Sequence, residues 1–419
     1  MRKGHAFLLA LALAASRPLA AGLPPVPVPT ENPVTEPKRV LGKILFWDEQ
    51  LSSDGTVACG TCHRPAAGGA DPRAGRWPGV DKGTIDDVMG SPGIVALDHD
   101  GRPRPSAMFG LGPQVTPRLA PSNFGGIWAD ELFWDGRARS ELKDPLTGKV
   151  AIARGGALEN QALAALLNEA EMAKAGRSWA DVTADLTRAR PLALATGLPP
   201  DTAAAIATHP TYAALFAAAF GDGAITPVRI AFALAAYQRT LIADQTPYDR
   251  FAAGDTTALA GRALYGWKAM QGFHCTACHT PPLFTNNEFF QIGVRRADFD
   301  RGRENVTGDP EDAGEMKVPS LRNAALRPRF MHTGEYAGLG AAIRFYINTL
   351  PLPERDGIPG AGLYTFNMSA VDESDLREFI ATALTDARVR DETFPFDRPV
   401  LRSERVATDS AHLPDQGRR

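Results

Sequence analysis

The sequence predicts a mostly helical protein built from two similar units with long ordered loops. Three observations carry that expectation. Apolar residues recur at helical spacing in several short segments, and no sustained alternation at period two argues for a sheet. The pattern Cys-x-x-Cys-His occurs twice, at Cys59–His63 and Cys275–His279, and Gly42-Lys43-Ile44-Leu45-Phe46 before the first copy is echoed by Gly261-Arg262-Ala263-Leu264-Tyr265 before the second. The 34 prolines and 40 glycines are many for a helical chain and call for ordered loops between the helices.

The chain opens Met1-Arg2-Lys3, runs apolar from Ala6 to Ala15 and reaches small residues at Ala20 and Ala21. A basic start, a short apolar core and a small-residue exit make residues 1–21 a secretory signal peptide. The run is too short to span a bilayer. A buried N-terminal helix is the alternative, but Arg17 and Pro18 interrupt it. Residues 22–37 then read as an extended Pro-rich leader. Pro37 to Phe46 carries a helical stripe of Val40, Leu41, Ile44 and Leu45. Ala157 to Ala175, rich in Ala, Leu and Glu, is helical at least in part. Thr226-Pro227 opens the strongest helix, Pro227 to Ala243, with threonine as cap and proline at the first helical position. Leu259 to Met270, Ala341 to Asn348 and Glu373 to Thr385 complete the helical segments. The echo divides the chain into a first unit, 38–222, a second, 223–395, and a tail, 396–419. The formal charge of −3, with both signs mixed, gives no basic footprint for nucleic acid. No later apolar stretch is long enough for an integral membrane protein.

Cys-x-x-Cys-His is the attachment signal of a c-type haem. The two thiols add across the porphyrin vinyl groups, and the adjacent histidine ligates the iron from one face. Two copies imply two covalently bound haems, one on Cys59, Cys62 and His63, the other on Cys275, Cys278 and His279. A zinc site and a redox dithiol are the alternatives. Export favours haem, because c-type haems are loaded outside the cytoplasm. All 4 cysteines are then engaged, so no disulfide is expected. The mature protein is expected in the periplasm of a Gram-negative host.

Further strings surround these motifs in a telling order. Leu41-Gly42-Lys43-Ile44-Leu45-Phe46 and Leu51-Ser52 come first, then Phe133-Trp134-Asp135-Gly136-Arg137. Lys317-Val318-Pro319-Ser320-Leu321-Arg322-Asn323 and Phe330-Met331-His332-Thr333-Gly334 follow. Over residues 35–395 the chain resembles the bacterial di-haem cytochrome c peroxidases and their relative MauG. The resemblance implies two cytochrome c-like domains with unequal haems. Met331 matches the sixth ligand of the second haem; His and Met together raise the potential and leave no open position, which suits electron transfer. His332 is the rival ligand, and core packing is the ordinary role of a methionine. MauG-type proteins carry tyrosine at this position, so here the chain sides with the peroxidases.

The first haem is then the peroxide site. The family places a glutamine and a glutamate ten residues apart to move a proton between the peroxide oxygens; Gln161 and Glu171 reproduce that register. An insertion, Ser140 to Gly156, precedes them, and Ala164-Ala165 replaces the family's Gly-Pro. On an unbroken helix the two residues would stand about 15 Å and roughly 80° apart. The chain must bend, or the two are solvated polar residues on a helix and the match is partly illusory, with Glu169 the neighbour to substitute. Trp134 corresponds to a tryptophan between the haems, its N–H expected on a propionate or a water. Asp135 and Arg137 are expected to organise that loop or to pair with a propionate. The family's calcium asparagine falls at Leu119 and its carbonyl donors at Asp312 and Gly314, so calcium would lack its side-chain ligand. A gating loop histidine has no counterpart in register, and His99 reads as a turn residue. The resemblance implies a peroxidase taking hydrogen peroxide and electrons from a small cytochrome c or cupredoxin, and a homodimer is common in the family. A MauG-like oxidation of a protein side chain is the alternative, and a non-catalytic electron carrier is a third reading.

Overall fold

The computed structural model describes residues 22–79, 86–348 and 366–411. The expected signal peptide, 1–21, lies outside the described residues, as does the end of the tail, 412–419. Helices dominate. Strands among the described residues form only two-stranded antiparallel ribbons.

Two helix pairs frame the molecule. Helix Glu36–Phe46 buries Leu41, Ile44 and Leu45 completely and lies on helix Pro227–Gln238, which buries Ile230, Ala233, Leu234 and Tyr237. The crossing is close because Gly42 has no side chain: a Cβ there would collide with the Ala233 carbonyl and press on the Tyr237 Cβ. Helix Gly261–Gly272 lies on helix Ala370–Glu378 in the same way. Here the close glycine is Gly266, whose Cβ would collide with the Asp375 carbonyl and press on the Phe379 Cβ. The duplication is therefore structural, but its register pairs Gly42 with Gly266, not with Gly261 as the sequence echo suggests.

The expected division at 222/223 separates elements that share one core. Helix Pro227–Gln238 belongs to the first core, and Val389, Phe396 and Leu401 return to it from the far end of the chain. The second core gathers Tyr248, Trp267, Met270, Phe284, Ile343, Phe379 and Leu384. The stretch expected as a tail is thus anchored at its start. So is the leader: Trp128 Nε1 donates to Pro24 O at 3.1 Å and Arg239 Nε to Pro27 O at 3.1 Å. Asn32 is fully buried, donating to Glu159 at 2.9 Å and to Phe232 O at 3.0 Å.

Several helices were not anticipated. Helix Trp179–Arg188 begins with a capping box between Ser178 and Asp181, and Thr211 caps helix Tyr212–Phe220. Helix Pro200–Thr208 lies between them. No single helix among the described residues is long and apolar enough to cross a membrane.

Candidate haem sites

The first site grows from a single helical turn, Cys59–Cys62. Gly60 sits flush against the Trp47 ring, where any Cβ would overlap the indole. Ala58 N–H donates to Thr61 Oγ1 at 2.9 Å and closes the turn. His63 Nδ1 lies 3.1 Å from the Gly69 carbonyl. That oxygen can only accept, so Nδ1 carries the proton and Nε2 is left as a ligand atom. Burial lowers the pKa of this imidazole and keeps it in the neutral, ligating form.

A cavity of about 70 Å³ borders Cys59, Cys62 and His63, and Gln161, Glu171 and Gln238 also line it. The bend that brings Gln161 and Glu171 together is visible in the backbone. The helix runs from Ala157 to Ala164, tightens to a 3-10 turn over Ala165–Leu167, and stops at Asn168, which is extended. The Asn168 carbonyl then accepts from the N–H groups of Glu171, Met172 and Ala173 at 3.0, 2.9 and 3.0 Å. Its side-chain amide donates to Glu171 Oε1 at 2.7 Å. Gly93 admits this turn, because a Cβ there would strike the Ala170 carbonyl; next to it, Ile94 N–H donates to Glu171 O at 3.1 Å. Burial raises the carboxyl pKa of Glu171, opposed by the Arg137 charge and the Asn168 hydrogen bond. Glu169, the expected substitute, is exposed, 3.8 Å from Arg104, and does not border the cavity. His99 is an exposed turn residue against Gly176. Among the described residues, His63 is the one histidine lining this cavity.

The second site is larger and more apolar. His279 Nδ1 lies 3.2 Å from the Phe284 carbonyl, again leaving Nε2 as the ligand atom, and burial pushes its pKa down to about 4. A cavity of about 200 Å³ is bordered by Cys275, Cys278 and His279, and by Met331, His332 and Trp134. Met331 has φ = 65°. A long side chain in the left-handed region is an outlier that surrounding contacts must hold, and such residues cluster at functional positions. His332 is buried 6.2 Å from the Trp134 ring, its Nε2 without a hydrogen-bond partner.

Trp134 is buried between these groups, and its indole donates to the Leu119 carbonyl at 2.8 Å, not to a propionate or a water as expected. Leu119 N–H in turn donates to His332 O at 2.8 Å, so one short segment ties the indole to the Met331 loop. Asp135 accepts from Arg118 at 2.6 Å and from Arg137 at 3.0 Å, while Arg118 also reaches Asp300 at 2.6 Å. At the expected calcium positions, the Asp312 carboxylate accepts from Thr307 Oγ1 at 2.6 Å and the Leu119 carbonyl is taken by Trp134.

Arg327 tests whether a haem fits. It lines the second cavity, 8 % exposed, and gives only a 3.3 Å bond to Ser320 O, with Nε unbonded. Burial lowers its pKa to about 10, and no carboxylate pairs with it among the described residues. A lone guanidinium in an apolar cavity is costly unless an anion joins it. A haem propionate is such an anion, and two thiols beside a histidine whose free nitrogen faces a mostly apolar space complete the fit. Gly68, five residues beyond His63, approaches the Arg327 side chain, so this charge lies between the two attachment sites. The sequence reading missed it, as it missed Arg118; an arginine between apolar strings carries no spacing signal.

Comparison with known proteins agrees. MauG, the methylamine utilization protein of Methylorubrum extorquens, is 30% identical over 360 residues, 85% of this chain and 81% of that protein. Cytochrome-c peroxidase IdrP1 of Denitromonas iodatirespirans is 29% identical, covering 77% of this chain and 76% of the relative. The fold matches the crystal structure of a MauG-like protein associated with microbial copper homeostasis, with a TM-score of 0.61 and 24% identity over 90% of this chain and 96% of the other. The model of the di-haem cytochrome c peroxidase family matches residues 36–257, just over half of the 419-residue chain, and the chain belongs to that family.

Proposed function

We propose that this protein is an exported di-haem peroxidase that reduces hydrogen peroxide to water at its first haem. Two electrons and two protons convert one peroxide to two waters. The observation that carries this reading is the convergence of Gln161 and Glu171 on the cavity beside His63. A bound haem iron would supply the site that polarises the peroxide and the redox states that take up electrons one at a time. The chain's own residues do the rest. Glu171, with its raised pKa, starts as carboxylate, takes the proton of the inner peroxide oxygen and hands it to the outer one. Gln161 supplies an amide to orient the peroxide, and Leu234 and Phe46 keep bulk water away.

Cys275, Cys278, His279 and Met331 would hold the second haem and leave it no open position. Trp134, bordering that cavity, would pass the electrons on toward the first site. The donor is a small cytochrome c or a cupredoxin, and the compartment is the periplasm. The reading is tested by peroxide consumption with a reduced small cytochrome: rapid turnover is expected, and inertness in both oxidation states would leave electron transfer alone.

A MauG-like oxidation of a protein side chain is the second reading. That His63 is the one histidine around the first cavity among the described residues, the insertion over Ser140–Gly156 and the MauG relatives support it; Met331 opposes it. Oxidation of both haems by peroxide with negligible turnover on small cytochromes would favour this reading.

A further inference from the structure

The bend between Gln161 and Glu171 has no glycine or proline of its own. Residues 162–167 read Ala-Leu-Ala-Ala-Leu-Leu, strong helix formers that would extend the helix if left to themselves. Asn168 closes the turn locally, its side-chain oxygen accepting from Ala170 N–H at 2.9 Å, and a second hold on the turn comes from outside the segment. Arg177, whose side chain is 1% exposed, reaches back across it. Its Nη1 donates to Leu166 O before the bend and to Met172 O after it, each at 3.3 Å. The same nitrogen donates to Leu51 O at 2.6 Å, on the segment leading into the first cysteine pair. Nη2 is held from outside by Asp185 at 3.0 Å. Leu166 O belongs to the last turn, where carbonyls lack partners within the helix, and a charged donor satisfies them strongly. One guanidinium thus joins both arms of the bend to the frame of the first haem site.

We propose that Arg177 is a positioning residue that fixes this bend and so sets Gln161 and Glu171 at one working distance. The inference rests on the reading of Glu171 as the proton carrier. The three carbonyls meet one nitrogen, Nη1, which a lysine nitrogen could replace, but a lysine has no second arm for Asp185, so Arg177→Lys should rescue only in part.

The test uses the haem-loaded full chain. Arg177→Met should slow the peroxide step on the order of 10²-fold, the scale of a misplaced reacting group. Added to Glu171→Gln it should cause no further loss, because both changes remove one function. Fluoride binding to the ferric first haem needs a proton on a nearby acid, and its pH midpoint should shift by about one unit in Arg177→Met. Asp185→Asn, which loosens only the outer anchor, should move both readouts the same way by about two- to threefold and keeps the question answerable if Arg177→Met does not fold. Losses that multiply with Glu171→Gln, or an unmoved fluoride midpoint, would overturn the inference. If Glu171→Gln is slow and Arg177→Met runs at the parental rate, Arg177 alone falls. If Glu171→Gln itself is unimpaired, the reading of the site falls with it.

Discussion

The two Cys-x-x-Cys-His units share a frame and differ in what surrounds it. In each, a glycine lets one helix press onto the backbone of another: Gly42 against Ala233 and Tyr237, Gly266 against Asp375 and Phe379. In each, the histidine Nδ1 is held by a backbone carbonyl, that of Gly69 or of Phe284. Beyond that the regions part. The first cavity is small and lined by Gln161, Glu171 and Gln238; the second is about three times larger, about 200 against about 70 Å³, with Met331 on a strained backbone. On the proposed reading, a duplicated frame would attach the cofactor and unlike loops would decide what each copy does with it.

The sharpest break in this comparison comes from Glu171→Gln, expected to cut the peroxide rate by about 10²- to 10⁴-fold and to leave the spectrum of the second haem unchanged. The acid limb of the rate profile should vanish with it. Because burial raises the Glu171 pKa, the working carboxylate is lost as pH falls at a value above the ordinary 4.5 of a glutamate. A parental limb at or below 4.5 would count against this residue.

Next in size are the paired glycines. Gly42→Ala and Gly266→Ala should each cost about 1–3 kcal/mol, since a Cβ must displace backbone. Thermal melts with each haem's absorbance followed separately should show the first change loosening the first haem and the second change the other. Equal loss at both haems would mean the cores are not separable. Met331→Ala should lower the potential of the second haem and open its sixth position, read by redox titration and absorption; an unaltered spectrum would place the ligand elsewhere. The smallest effect belongs to Asn168→Ala, which removes one hydrogen bond from Glu171 and should cost about 1 kcal/mol, measurable as a modest shift of the acid limb.

Much of the frame was legible. The twin motifs, the Thr226-Pro227 helix start and the stripe before the first motif all rest on local chemistry, and the helices stand there. The bend at Asn168 was legible only as a necessity. Nothing in the Ala/Leu run itself stops the helix; Asn168 closes the turn, and the bonds from Arg177 and Ile94 that brace it come from outside the run, where no pattern in the run records them. The division at 222/223 failed for the same reason: a capped helix start marks where a helix begins, not which core it joins. The echo misplaced its glycine because Gly42 and Gly266 matter through a neighbouring backbone that no pattern in the strand of letters records. Helix Trp179–Arg188 did have a signal, the Ser178 to Asp181 capping box, but only Val182 and Leu186 form its buried stripe.

The return of Val389, Phe396 and Leu401 to the first core makes the second unit a nested insertion. A chain threading out of a channel N-terminus first would expose its leading thiols early, yet could finish closing around them only after nearly the whole polypeptide had followed. The front half would therefore close last, and on the proposed reading that leaves Cys59 and Cys62 open to cofactor attachment for longer than Cys275 and Cys278.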